Sequence, residues 1–105
     1  MIALTPKPPY YAVIFTSLRT EEDHGYSSTS ELMFQLAEKQ TGFLGAESVR
    51  DVLGLTVSYW RDLESIKKWK NHVAHANARN RGRSEWYRSF KVRIAKVERD
   101  YGFDR

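Results

Sequence analysis

A chain of 105 residues, 41% apolar and 13% aromatic, suffices for one small domain spanning 1–105 and excludes a disordered polymer. It has no cysteine, so disulfides, thiolate nucleophiles and cysteine metal sites are excluded; no apolar run approaches the ~20 residues of a membrane span. Charge is lopsided, net −3 over residues 1–60 and +7 over 61–105, which raises the question of an anionic partner, although solvated faces are the plainer use of such charge.

Residues 1–9 form an extended lead-in, because the prolines of Thr5-Pro-Lys-Pro-Pro9 fix φ and remove donors. Those prolines stand where a signal peptide would carry its apolar region, so a cytoplasmic location is expected. Tyr11 to Ser17, β-branched and aromatic, predicts a first strand, and the polar stretch Arg19 to Gly25 a loop. A helix is predicted over Ser27 to Gln40, with Thr29, Leu32, Met33, Leu36 and Ala37 on one face, Gly42 as its cap, and Phe34 off the stripe. Phe43 to Arg50 and Leu55 to Trp60 read as a hairpin about Asp51-Val-Leu-Gly54. Asp62 offers an N-cap to a second helix with Ile66, Trp69, Val73 and Ala76 as its apolar face, fading after Ala78 and ending near Gly82. Ser84 to Arg88 allows a further short turn. Phe90 to Arg99 alternates as a last strand, then changes parity at Ala95 and Val97, which means either a bulge or two apolar sides.

The order β-α-β-β-α-β divides into halves 11–50 and 55–99. It is the α+β ferredoxin-like arrangement, a four-stranded antiparallel sheet with two main helices on one face. Both strand parities are apolar: Tyr11, Val13 and Phe15 against Ala12, Ile14 and Leu18, and Leu55, Val57 and Tyr59 against Trp60. Two helices cover one side only, so a homodimer pairing sheet face to sheet face is expected.

Gly42-Phe-Leu-Gly45, Glu47-Ser48, Thr56-Val-Ser-Tyr-Trp60, Trp69 with His72, and Gly82-Arg-Ser-Glu-Trp-Tyr87 together resemble the antibiotic biosynthesis monooxygenase family over about Tyr10 to Phe103. The resemblance implies a dimeric α+β barrel and, among the activities of that family, cofactor-free oxygenation of planar phenols, quinols or anthrones. Its haem-degrading branch would need an asparagine on the first strand and a histidine ten residues after Trp69; Thr16, Ser17 and Arg79 stand there instead. His72 and His75 share a helix flank without an apparent third ligand, so no metal is expected, and no cofactor.

Cofactor-free oxygenation requires a dry aromatic pocket, a base and a partner for the oxyanion. On a continuous second helix His72 borders the apolar face beside Trp69, and His75 turns toward water. His72 is therefore the candidate base, with a hydrogen-bonded structural histidine as the alternative use. Arg79 is the candidate oxyanion partner, and Trp69, Trp60, Tyr59, Trp86 and Tyr87 are candidate walls, each equally serviceable as plain core. Tyr59 and Trp60 point to opposite faces, so one of them at most lines a given cavity. Binding without turnover would use the same pocket. An RNA-recognition domain shares the strand order, but Gly54-Leu-Thr-Val-Ser-Tyr-Trp60 lacks its stacking motif, so no nucleic acid is expected.

Overall fold

The structure is a computed structural model that describes the backbone of residues 1–105 and every side chain except that of Val73, whose place on the predicted apolar stripe lies outside the described residues. Strands β1 (Tyr10–Arg19), β2 (Phe43–Arg50), β3 (Gly54–Trp60) and β4 (Tyr87–Val97) form one antiparallel sheet in the order β2-β3-β1-β4. Helix α1 (Tyr26–Glu38) joins β1 to β2; α2 (Leu63–Lys70), α3 (Val73–Arg81) and a π-helical turn (Gly82–Trp86) join β3 to β4. This is the expected ferredoxin-like order with one addition, since the second helix is split in two.

The split has a local cause. Asp62 caps α2 by accepting the Ser65 amide at 2.8 Å. Ten residues later the backbone leaves the helix at His72 (φ −61°, ψ 133°), whose Nδ1 accepts the Ala74 amide at 3.3 Å and starts α3. A polar ring that caps a neighbouring amide competes with the helix ladder, and periodicity alone does not register that competition.

Directly paired residues share a sheet face. The pairs Tyr11–Trp60, Val13–Ser58 and Phe15–Thr56, with Ile94, Val92 and Phe90 opposite Val13, Phe15 and Ser17, make one face. The helices pack on it, because Trp69 of α2 stacks on Trp60 and Phe34 of α1 meets Phe43 edge-on. Phe34, off its own helix stripe, thus finds an aromatic neighbour while staying partly exposed. Ile14, Leu18, Leu55, Val57, Tyr59 and Ala95 make the other face, which no helix covers.

The β1–β4 register is unbroken from Tyr10–Val97 to Leu18–Ser89, and its irregularity falls at Arg88, before Arg19 pairs with Tyr87. The parity change at Ala95 is therefore no bulge: β4 carries apolar groups on both faces. It also begins at Tyr87, earlier than its alternation suggests. Gly42 (φ 88°) turns the chain into β2 where a side chain would collide with Ser65.

Candidate functional site

The helix-covered face carries two aromatic groups. At one end Trp60, 1% exposed, donates its indole N–H to Ser58 Oγ at 2.9 Å and receives Phe43 edge-on at 5.3 Å. Trp69 stacks over it at 6.4 Å, and the His75 ring lies almost parallel to Trp69 at 4.7 Å. His72 stands 5.4 Å from Trp69 and tilted. The helix break at His72 produces this arrangement: His75, expected toward water, is the ring laid flat on Trp69.

The two imidazoles are chemically distinct. His75 Nδ1 lies 3.1 Å from the Trp69 carbonyl oxygen, an acceptor only, so Nδ1 carries the proton and Nε2 holds the free lone pair. Burial pushes its pKa below the usual histidine value, outweighing its hydrogen bonding to the backbone of Trp69 and Lys70. His72 has the opposite tautomer when neutral, because Nδ1 accepts the Ala74 amide and Nε2 must bear the hydrogen.

At the other end Trp86, 3% exposed, and Tyr87 pack against Tyr26 of α1, edge-on at 5.8 Å in both cases. Tyr87 also meets Phe15 at 5.3 Å and Phe90 at 5.9 Å. The π-helical turn aims Trp86 inward: its carbonyl accepts the Thr20 amide at 2.9 Å and Arg19 Nε at 3.1 Å, while its indole N–H donates to the His24 carbonyl at 3.0 Å. Burial, and then the Tyr26 hydroxyl, push the Tyr87 phenol far up.

The fold thus brings Trp60, Trp69, His72 and His75 together and sets Trp86 and Tyr87 in a separate group on the same face. Tyr59 belongs to neither. It lies on the helix-free face, edge-on to Tyr10 at 5.8 Å, and donates its hydroxyl to Glu47 Oε1 at 2.6 Å. Burial and that carboxylate raise its pKa to about 12, while the same hydrogen bond holds Glu47 below its usual range. Arg79 Nη2 donates to the Lys70 carbonyl at 3.2 Å across the α2–α3 break, and its buried Nε has no partner among the described residues.

Two surface cavities lie away from these rings: one of about 370 Å³ between Thr5–Pro8 and Glu98–Asp100, the other of about 170 Å³ along Glu47, Val49, Leu55 and Val57 on the helix-free face. Among the described residues no three His, Asp or Glu side chains converge as metal ligands, and no helix is long and apolar enough to cross a membrane. One residue escaped the sequence reading. Arg50 lies across the helix-covered face to Ser17, and the only signal for it was a glycine, Gly54, at the paired position on β3.

No family model matches the chain. It is 53% identical over 100 residues to the uncharacterized protein YqjZ of Bacillus subtilis (strain 168), a match covering 93% of this chain and 88% of that protein. Among solved structures it is similar to Rv0793 from Mycobacterium tuberculosis (TM-score 0.78, 10% identity, 89% and 99% of the two chains covered). A Nitrosomonas europaea protein provisionally described as an antibiotic biosynthesis monooxygenase superposes with TM-score 0.71 at 8% identity, covering 90% and 94%. SnoaB, a cofactor-independent oxygenase from Streptomyces nogalater, gives 0.70 at 8%, covering 93% and 100%. These likenesses establish a shared α+β ferredoxin-like fold.

Proposed function

This chain belongs to the family of YqjZ, and from its fold and its helix-side rings we propose that it is a small oxygenase of the antibiotic biosynthesis monooxygenase type, acting without metal or flavin. Its substrate is a planar phenol, quinol or anthrone, and its oxidant is O₂. The single observation that supports the reading most is the His75 ring, neutral and stacked on Trp69, with the lone pair at Nε2.

The steps balance without a cofactor. His75 Nε2 takes a proton from the activated C–H or O–H, and the resulting anion passes one electron to O₂. Recombination of the two radicals forms a peroxide anion, and the proton held on His75 returns to it to give a hydroperoxide. Loss of water then converts an anthrone methylene to a carbonyl, with one oxygen atom retained and the other leaving as H₂O. His72, with its hydrogen at Nε2, and Arg79 are the donors that steady developing negative charge. Trp69 supplies an apolar wall that weakens competition from water, with Trp60 sealed beneath it as its support.

The subunit functions in the cytoplasm as a homodimer paired through the helix-free sheet face, which the exposure of Val49 (65%) and Leu55 (38%) supports. Oxygen consumption with an anthrone substrate tests the chemistry. His75→Ala should lower the rate by ~10²-fold, the usual scale of general-base catalysis. His72→Ala should cost less, since a donor is lost and the base remains. A folded His75→Ala protein with unchanged uptake removes His75 as base. Wild-type protein that binds the anthrone and consumes no oxygen makes the chain a binding protein instead.

A further inference from the structure

Arg50 sits near the end of β2, yet its guanidinium reaches β1. Nη2 donates to Ser17 Oγ at 2.5 Å and Nη1 to the Ser17 carbonyl at 3.4 Å. Its path crosses β3 at Gly54, where any Cβ would collide with the guanidinium. Gly54 has no left-handed φ, so the glycine there serves space and not backbone geometry. A cation is thus laid flat on the sheet and held from below by a serine that is 2% exposed.

Its surroundings suit a ligand. Among the described residues no carboxylate stands within ion-pair distance of Arg50. Phe90 is paired directly with Ser17, and Phe15 lies 5.6 Å from Phe90. From there Phe90, Val92 and Ile94 run along β4 as an apolar strip, 37%, 47% and 54% exposed on the helix-side face. Two guanidinium contacts are spent on Ser17, and the remaining N–H groups are free to donate. A flat apolar strip ending at a fixed cation fits a planar ring with one anionic oxygen.

We propose that Arg50, seated over Gly54 against Ser17, binds the anionic oxygen of a planar aromatic ligand lying on Phe15 and Phe90. The ligand oxygen is a phenolate, enolate or carboxylate. The site lies at the Gly54 end of β3, whereas the His75–Trp69 stack lies over Trp60 at the opposite end, so the anion site goes beyond the oxygenase reading and shares with it only the planar aromatic class of ligand.

Binding of 2-naphthoate and of neutral 2-naphthylmethanol to the full chain, followed by calorimetry, tests it without turnover. Wild type should bind the carboxylate more tightly. Arg50→Met should raise the Kd for naphthoate about tenfold or more and leave that for the alcohol within about twofold, as expected for one charge-assisted contact. Gly54→Ala keeps the charge but displaces it, and should reproduce the loss with circular dichroism unchanged. An unaltered naphthoate Kd in both variants, equal losses for the two probes, or no preference for the anion in wild type overturns the assignment. Failure of oxygen uptake with naphthoate binding still dependent on Arg50 would instead sink the oxygenase reading and leave the anion site standing.

Discussion

The two faces of the sheet are equally apolar in sequence and differ in what covers them. On the helix side Trp60 is sealed beneath Trp69, with Phe43 and then Phe34 beside it. On the other side the chain's own ends do part of the work at one edge. Tyr10 donates to Asp100 at 2.5 Å and accepts from Thr5, and the Ala3 amide donates to Glu47 at 2.9 Å. Tyr10 and Ala12 are each 4% exposed, whereas Leu55 and Val49 at the far edge are bare. The first face is closed by rings at its Trp60 end and left open along β4 at Phe90, Val92 and Ile94; the other is half completed by hydrogen-bonded tails. Substitutions on the first should therefore cost folding stability, and substitutions on the second should cost association.

The sharpest way to separate the faces is Trp60→Ala. The indole is enclosed on all sides, so its loss leaves a cavity as well as forgone transfer energy, about 3–5 kcal/mol for a buried tryptophan. Urea denaturation should show a large drop in midpoint. A drop of under ~1 kcal/mol would mean that the Trp60–Trp69 stack is not the centre of the helix-side core.

A smaller effect of a different kind is expected from Val57→Asp. Val57 pairs with Ile14 and Glu47 in the middle of the helix-free face, so an aspartate there places a second carboxylate beside Glu47. In the proposed homodimer both charges would be buried, and the dimer Kd should rise by roughly 10²-fold or more, two decades being under 3 kcal/mol. Sedimentation velocity reads this directly, with far-UV circular dichroism unchanged. A wild-type chain sedimenting as a 12.3 kDa particle in dilute buffer removes the pairing altogether.

The difference between the faces also explains what could be read from the chain beforehand. Strand positions were legible because Val13, Ile14 and Phe15, and likewise Leu55 and Val57, are β-formers between turn residues. The helix-free face was legible as a surplus of apolar parity. What periodicity could not supply was the break at His72, since a side chain that caps a neighbouring amide follows no 3.6-residue repeat. A continuous helix would turn His75 toward water, whereas its ring lies flat on Trp69; His72 stands beside Trp69 as expected. Nor could it supply Arg50, whose reach to Ser17 depends on the pairing of β2, β3 and β1 and thus on long-range register. Trp86 and Tyr87 were legible as aromatic, but the π-helical turn that separates them from Trp60 was not.

The smallest expected effect follows from the helix-side stack and has a definite sign. Burial holds the folded-state pKa of His75 below its ordinary value of 6.5. At pH values below about 6.5 the unfolded chain therefore binds more protons at this position than the folded chain, and stability falls as pH falls. The loss starts near pH 6.5, continues down to the depressed folded value, and then levels off. The hydrogen-bonded carboxylates Glu47 and Asp62 also lose stabilisation in acid, but their ordinary values are 4.5 and 3.8, so their contribution begins lower. The interval between pH 6.5 and 4.5 isolates the histidine. Urea midpoints measured at pH 7 and pH 5 should fall for wild type by more than for His75→Gln, which cannot take up the proton. Equal falls in the two proteins would place the His75 ring in water and detach it from Trp69, and the base proposed for the oxygenase chemistry would lose the tautomer on which it depends.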